Sequence, residues 1–273
     1  MPSSPPEGGG RGTGGHQARI VTALLLFAGF LAVLFLLPPP AAAIAFALAA
    51  ALAGWEWAGL MQAGPRGRVL YGLLIFGLCL LFGTRPEEGF PLLWGIAALF
   101  WLTIAPLCLK WKWPSAGIMT GLVVLVPTWA ALAALHQRSP LLLLAVMALV
   151  WAADIAAFCA GRTFGRRKLA PQISPGKTWE GVAGAVVGVL AYGMAVAPFL
   201  PVVHCVRPWA LAGLLLLLTA LAIVGDLFES LVKRQAGVKD SSALLPGHGG
   251  ILDRIDSLTA TLPLVALTLY WTA

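Results

Sequence analysis

Four carboxylates near the C-terminus have a spacing that suits a divalent cation. Asp226 and Glu229 are three residues apart, as are Asp253 and Asp256, so the members of each pair share a face if both segments are helical. Mg²⁺ prefers oxygen ligands and binds carboxylates together with the phosphates of a substrate. The spacing therefore predicts Mg²⁺ as the cofactor of a site that handles phosphate groups.

The chain between these two pairs adds groups that suit a polyphosphate. Its basic side chains can stabilise phosphate charge, and its glycines permit close approach of the backbone to a ligand. The residues are Lys233, Arg234, Lys239, Gly247, His248, Gly249, Gly250 and Arg254. An ordinary cytoplasmic loop would account for the cations, but not for four acids at helical spacing beside a glycine-rich turn. The combination favours phosphoryl or nucleotidyl transfer, in which positioning and electrostatics supply most of the catalysis.

A second polar loop, residues 161–178, offers further contacts for an anion. Ser174, Lys177 and Thr178 lie next to a predicted helix start, where anionic groups bind readily. Lys177 and Thr178 follow a glycine, as in the P-loop of nucleotide-binding proteins. However, Pro171 stands where that motif needs its first glycine, and no strand is predicted before it. The Walker A motif is therefore excluded, and the loop is interpreted as a basic segment that binds anions.

Transmembrane helices are the elements predicted to position these loops. The chain has 273 residues, of which 59% are hydrophobic and 11% charged, about half the charged fraction of a soluble domain. Its apolar residues form nine runs of roughly bilayer length, at 20–37, 41–60, 69–83, 90–109, 113–135, 140–160, 179–200, 208–232 and 256–272. The predicted fold is an all-α, polytopic integral membrane protein. Residues 1–18, rich in Pro, Gly and Ser, would form a disordered tail, and residues 19–273 a single transmembrane catalytic domain.

The basic residues predict the orientation of the spans. The net charge of +7 arises in short loops between apolar runs, which indicates membrane orientation and not a nucleic-acid partner. With nine spans and a cytoplasmic N-terminus, 15 of the 18 Lys and Arg residues face the cytoplasm. Removing the short third span leaves only 7 on that side. The positive-inside rule thus favours nine spans, and the loops 161–178 and 233–255 face the same side in either case.

The motif at residues 230–256 resembles the signature of the phosphatidate cytidylyltransferases, also called CDP-diacylglycerol synthases. The loop at 154–181 and the Trp-Glu-Trp tripeptide at 55–57 are also similar to this family. Two positions depart from the pattern. Ser242 stands where relatives often have glycine, and Gly176 where a second basic residue is common. Neither departure removes a carboxylate, so the resemblance implies an active enzyme.

The resemblance implies that a phosphate oxygen of phosphatidate attacks the α-phosphorus of CTP and releases pyrophosphate, with Mg²⁺ required. It implies that Asp226 and Asp253 are metal ligands, supported by Asp256. The implied phosphate contacts are Lys233, Arg234, Lys239, His248, Arg254, Ser174 and Lys177, adjoined by Thr178, Gly249 and Gly250. The implied partners are CTP, phosphatidate and membrane lipids, with a second copy of the chain as a further candidate. The implied location is a bacterial-type inner (cytoplasmic) membrane.

Two other functions remain open from the sequence. Intramembrane acids often mark ion pathways, so a transporter is one alternative, although transport sites usually lie near the midplane of the membrane. A CTP-dependent kinase of an isoprenoid alcohol is the other. CDP-alcohol phosphotransferases are excluded because their D-G-x-x-A-R signature is absent.

Glu56 lies between two tryptophans inside the second apolar run. A charge within the membrane is costly and by default suggests function. Pairing with Arg66 or Arg68, which are close in sequence, is the structural alternative. The sequence leaves both interpretations open.

Overall fold

The computed structural model describes residues 14–83, 90–204, 206–245, 247 and 249–271, and the side chains from residue 24 onward. Within these ranges the chain forms nine α-helices: α1 (Gly14–Leu36), α2 (Pro39–Leu60), α3 (Pro65–Gly83), α4 (Pro91–Trp111), α5 (Ile118–Arg138), α6 (Pro140–Phe164), α7 (Trp179–Val196), α8 (Pro208–Gln235) and α9 (Leu252–Trp271). Two short 3-10 helices, Ala197–Phe199 and Pro201–Val203, follow α7. A π-helical turn, Phe100–Ile104, interrupts α4. The first helix begins inside the segment 1–18 for which the sequence predicts a disordered tail.

Seven of the described helices, α2 to α8, are long and apolar enough to cross a membrane. The predicted polytopic, helical membrane fold is therefore confirmed, whereas the count of nine spans stays a prediction. The described apolar stretch of α1 is only Leu24–Leu36, and the first turns of α9 are charged. The short third run at 69–83 belongs to a helix of 19 residues, because α3 already begins at Pro65.

Proline defines where many of these helices start. In the described part of the chain, α2, α3, α4, α6 and α8 all begin at a proline. Proline has no N–H to lose at the first helical position, and its fixed φ suits a helix. It also disfavours helical geometry in the residue before it. The boundaries between successive apolar runs are therefore set locally by the sequence.

Helices α6 and α7 pack with their backbones close together. The helical spacing of Gly181, Gly184 and Gly188 in α7 predicts such packing, and the structure confirms it. A Cβ atom would lie 2.4 Å from Ala160 Cβ if placed at Gly184, and 2.5 Å from Ala156 Cβ if placed at Gly188. The close contact fixes both ends of the polar loop that joins α6 to α7.

This loop contains a two-stranded antiparallel hairpin, β1 (Lys168–Ala170) and β2 (Ser174–Thr178). Lys168 pairs with Thr178, and Ala170 with Ser174. The prediction that no strand precedes the Gly-Lys-Thr sequence is therefore wrong. Strands of three and five residues are too short to show an alternating pattern of apolar residues. The exclusion of a Walker A motif still holds, because its first glycine is missing.

Candidate active site

The four carboxylates predicted at helical spacing lie on two neighbouring helices. Asp226 and Glu229 belong to α8, and Asp253 and Asp256 to the first turns of α9. Each predicted pair therefore does share a helix face. Residues 236–251 connect the end of α8 to the start of α9 and carry most of the signature motif.

Lys233 joins the two helices. Its Nζ lies 2.6 Å from Asp253 Oδ1 and 3.1 Å from Glu229 Oε1. The lysine side chain is 12% exposed, and each carboxylate 6%. An ammonium group between two largely buried carboxylates holds the helices together. The predicted contact of Lys233 with a phosphate would therefore compete with its ion pairs to both carboxylates.

The second oxygen of Asp253 organises the connecting loop. Oδ2 accepts hydrogen bonds from the backbone N of Ser241 (3.0 Å), from Ser241 Oγ (3.0 Å) and from the backbone N of Gly250 (2.8 Å). Charged residues at these helix ends are expected from the sequence to be reachable from water. The Asp253 side chain is only 6% exposed, because the loop folds back over the first turn of α9.

Gly249 and Gly250 are required by this arrangement. Gly249 has a φ of +79°, a conformation that favours glycine, and a Cβ there would lie 2.7 Å from Asp253 Oδ2. A Cβ at Gly250 would lie 2.0 Å from Ser241 Oγ. The loop conformation thus explains why both positions hold glycine. Their contact with substrate stays a prediction.

Glu56 also contacts this loop. It is fully buried and accepts hydrogen bonds from the backbone N of Ile251 (2.9 Å) and Leu252 (2.8 Å). Neither Arg66 nor Arg68, the structural alternative, is among its described partners. The Arg68 guanidinium instead stacks 3.5 Å from the ring centroid of Trp55 and donates to its carbonyl. Sequence reasoning left the role of Glu56 open, although a charge between two tryptophans in an apolar run was a signal for a site residue.

A cavity of about 470 Å³ lies between α6, the hairpin, α7 and α8. Its polar lining comprises Asp154, Arg162, Ser174, Lys177, Thr178 and Asp226. The Lys177 Nζ forms an ion pair with Asp226 Oδ2. The structure therefore brings the two predicted polar segments, the hairpin and the end of α8, to one place.

Thr178 also has a structural role in this cavity wall. Its buried Oγ1 accepts a hydrogen bond of 3.1 Å from the backbone N of Gly181 and so caps the start of α7. The cap fixes the end of the hairpin that carries Lys177. Its predicted contact with substrate stays a prediction.

Three carboxylates of the site have the chemistry of cation ligands. Asp154, Asp226 and Asp256 are close enough for their charges to interact. Asp226 Oδ1 accepts only a long bond of 3.5 Å from Ser230 Oγ, and Asp256 Oδ1 accepts one of 2.7 Å from the backbone N of Ser257. Such oxygens suit Mg²⁺. Within the described ranges, however, no group of three or more His, Cys, Asp or Glu side chains is placed so that it could hold a metal ion.

The remaining predicted phosphate contacts lie on the loop side of the site. Arg234 donates to the carbonyls of Ile173 (3.4 Å) and Val238 (3.2 Å), which ties the end of α8 to the hairpin. Lys239 and Arg254 are exposed. His248 lies outside the described residues.

Comparison with known proteins relates almost the whole chain to one family. The model of the cytidylyltransferase family matches residues 17–272. A phosphatidate cytidylyltransferase from Pseudomonas aeruginosa is 43% identical over 271 residues, which cover 94% of this chain and 97% of the relative. Proteins of the same name from Haemophilus influenzae and Brucella suis are 38% and 37% identical, covering 90% and 79% of this chain and 96% and 72% of the relatives.

Proposed function

Because the chain belongs to the cytidylyltransferase family, we propose that it is a phosphatidate cytidylyltransferase. It transfers the cytidylyl group of CTP to phosphatidate and forms CDP-diacylglycerol and pyrophosphate. The observation that carries the proposal is a cavity with a lysine–carboxylate pair in its polar lining and apolar walls elsewhere. Such a cavity suits an amphiphile with an anionic headgroup.

The lipid substrate fits the two kinds of lining in this cavity. Lys177 is held in the polar lining by Asp226, and Arg162 shares that lining. Both cations suit a phosphate monoester. Phe158 and Ile223 contribute to the apolar walls, and Phe158 is 64% exposed. Acyl chains can therefore pass from the cavity directly into the surrounding lipid.

The reaction is a substitution at the α-phosphorus of CTP. A phosphate oxygen of phosphatidate forms a bond to this phosphorus, while the bond between it and the oxygen that bridges to the β-phosphate breaks. That oxygen leaves with the pyrophosphate. Lys177 orients the attacking phosphate and reduces its electrostatic repulsion from the triphosphate of CTP. Lys239 and Arg254, exposed on the loop side, contact the triphosphate that arrives from water.

We assign the divalent cation, Mg²⁺ by the chemistry of its ligands, to Asp226 and Asp256, with Asp154 beside them. When bound, such a cation counters the charge on the α-phosphoryl group and the departing pyrophosphate. Asp253 is implied as a ligand by the family resemblance, but both its oxygens already accept hydrogen bonds. It would have to exchange one of them for the ion.

Mn²⁺ binding, followed by electron paramagnetic resonance in the presence of CTP, tests this assignment. Asp226→Asn is expected to weaken Mn²⁺ binding at least about tenfold, because even indirect support of a metal ligand is worth that much. Asp253→Asn is expected to weaken it less. An unchanged Mn²⁺ affinity in Asp226→Asn would contradict the assignment.

The activity itself is tested with purified protein, phosphatidate, Mg²⁺ and CTP labelled at either the α- or the γ-phosphate. Label from α-labelled CTP should enter the lipid phase, and label from γ-labelled CTP should not. The reverse pattern would identify a lipid kinase. Absence of label from both, together with solute flux in proteoliposomes, would identify a transporter.

We further propose that the protein lies in a bacterial inner (cytoplasmic) membrane, with the hairpin and the α8–α9 loop facing the cytoplasm, where CTP is available. Cysteines introduced at Gln172 and Ala243, both exposed, probe the two loops in a background that lacks the native cysteines. Both should resist an impermeant thiol reagent added to intact cells and react after lysis. Labelling of these cysteines in intact cells would show that the two loops face the opposite side of the membrane.

A further inference from the structure

Glu56 is a buried carboxylate whose partners all lie in the α8–α9 loop or at the first residue of α9. Besides the backbone N of Ile251 and Leu252, it accepts hydrogen bonds from Ser241 Oγ (3.1 Å) and Ser242 Oγ (2.7 Å). A carboxylate has about four acceptor positions, and these four neutral donors use them. No described Lys, Arg or His side chain is among its partners. Among the described residues, the hydrogen-bonding capacity of this carboxylate is therefore used entirely by donors from the α8–α9 loop and the start of α9.

Two of these donors are the backbone N–H groups at the beginning of α9, whose first residue is Leu252. The first N–H groups of a helix lack partners inside the helix, and a negative charge is favourable beside them. Glu56 thus caps α9 from a different helix, α2. Asp253 lies one residue beyond this cap.

Ser241 connects Glu56 to Asp253 more directly. Its Oγ lies 3.1 Å from Glu56 Oε2 and 3.0 Å from Asp253 Oδ2, and its backbone N also donates to Asp253. A hydroxyl donates a single proton, so the two carboxylates share one donor. Gly250 leaves room for this contact, since a Cβ there would lie 2.5 Å from Glu56 Oε1.

Ser242 adds a further side-chain donor to this contact. Its hydroxyl makes the shortest of the four hydrogen bonds to Glu56. Loss of this hydroxyl would leave the two backbone donors and Ser241 in place.

We propose that Glu56 is a positioning residue for catalysis. It caps α9 from α2 and, through Ser241, fixes the orientation of Asp253 and of the loop between α8 and α9. The inference rests on the proposed function only in that Asp253 and this loop belong to the active site. Glu56 itself touches neither substrate nor the reacting atoms.

Glu56→Gln is the first test variant. The amide keeps the size of the side chain, but its NH₂ group must face an N–H or O–H donor. We expect kcat to fall about 10²-fold, because a misplacement of about 1 Å can cost that much, while KM for CTP changes less than about threefold. Glu56→Asp keeps the charge but withdraws it from the donors, so we expect an intermediate loss.

A second readout does not depend on turnover. Amide hydrogen exchange of the segment that contains Ile251 and Leu252, whose N–H groups are bonded to Glu56, reports opening of the loop in the purified protein. Glu56→Gln should raise the exchange rate about tenfold, as expected when a local structure loses buried hydrogen bonds. Ser242→Ala, which removes one side-chain donor and leaves both backbone donors, is the matched comparison and should raise it less. The rate remains informative even if the wild-type protein makes no CDP-diacylglycerol.

Ser241→Ala keeps the proposal testable if Glu56→Gln does not fold. It removes only the shared hydroxyl, so Tm should stay within a few degrees while kcat falls about tenfold. The proposal is overturned if Glu56→Asp and Ser241→Ala both retain wild-type kcat and wild-type hydrogen-exchange rates. It is also overturned if KM for CTP rises and kcat does not change, since this would indicate direct substrate binding.

Discussion

Asp253→Asn is expected to reduce kcat by more than about 10³-fold. Loss of one preorganised electrostatic contact typically costs about 10²–10³ in rate, and this carboxylate makes several contacts at once. It forms an ion pair with Lys233 and accepts three further hydrogen bonds from the loop. An amide NH₂ group must face either the ammonium or the loop donors, so it disrupts one side in every rotamer. Both the charge balance and the loop conformation should change.

The same contacts predict a loss of stability in this variant. Leaving buried donors without an acceptor costs about 1–3 kcal/mol, and Asp253 is only 6% exposed, so Tm should fall measurably. Measuring kcat and Tm in one detergent separates the two effects. At temperatures well below the reduced Tm the rate loss should persist. If Asp253→Asn had wild-type turnover at such a temperature, the assignment of Asp253 to the active site would be wrong.

The spacing of the acids was predictable because it is a local property. Helix formation in α8 and α9 follows from apolar residues at helical periodicity, and three residues of separation then place Asp226 with Glu229 on one face. The close contact of α6 with α7 was predictable for the same reason, since its glycines recur at helical spacing in the sequence. Association with a second copy of the chain, a further candidate partner from the sequence, stays a prediction.

Contacts between distant segments could not be predicted in this way. Glu56 accepts hydrogen bonds from residues 185 to 196 positions later in the chain, and nothing in the local pattern around it indicates this partner. Pairing with Arg68 was the reasonable local alternative, but it ignored the stacking of that guanidinium on Trp55. The ion pair of Lys177 with Asp226 likewise joins two segments whose proximity depends on how α7 and α8 pack.

Alanine substitution of Lys177 is expected to reduce kcat/KM for phosphatidate about 10²–10³-fold, in the range found for a single lost electrostatic contact. Lys177 is the cation that forms the ion pair with Asp226 in the cavity. Without it, the described lining would hold the carboxylates of Asp154 and Asp226 against the single cation Arg162, and this net negative charge repels a phosphate group. The rate should fall because both attraction and orientation of the lipid headgroup are lost.

Lys168→Ala is the matched control, since it removes an equal charge from the other strand of the same hairpin. Lys168 is exposed, and its pairing with Thr178 in the hairpin uses backbone groups that alanine retains. Its loss should therefore change kcat/KM less than about threefold, as for an exposed charge that is not part of a placed contact. Lys177→Arg, which keeps the charge, should recover part of the activity. Equal losses in Lys168→Ala and Lys177→Ala would mean that the hairpin acts through its total charge and that Lys177 has no specific position in the site.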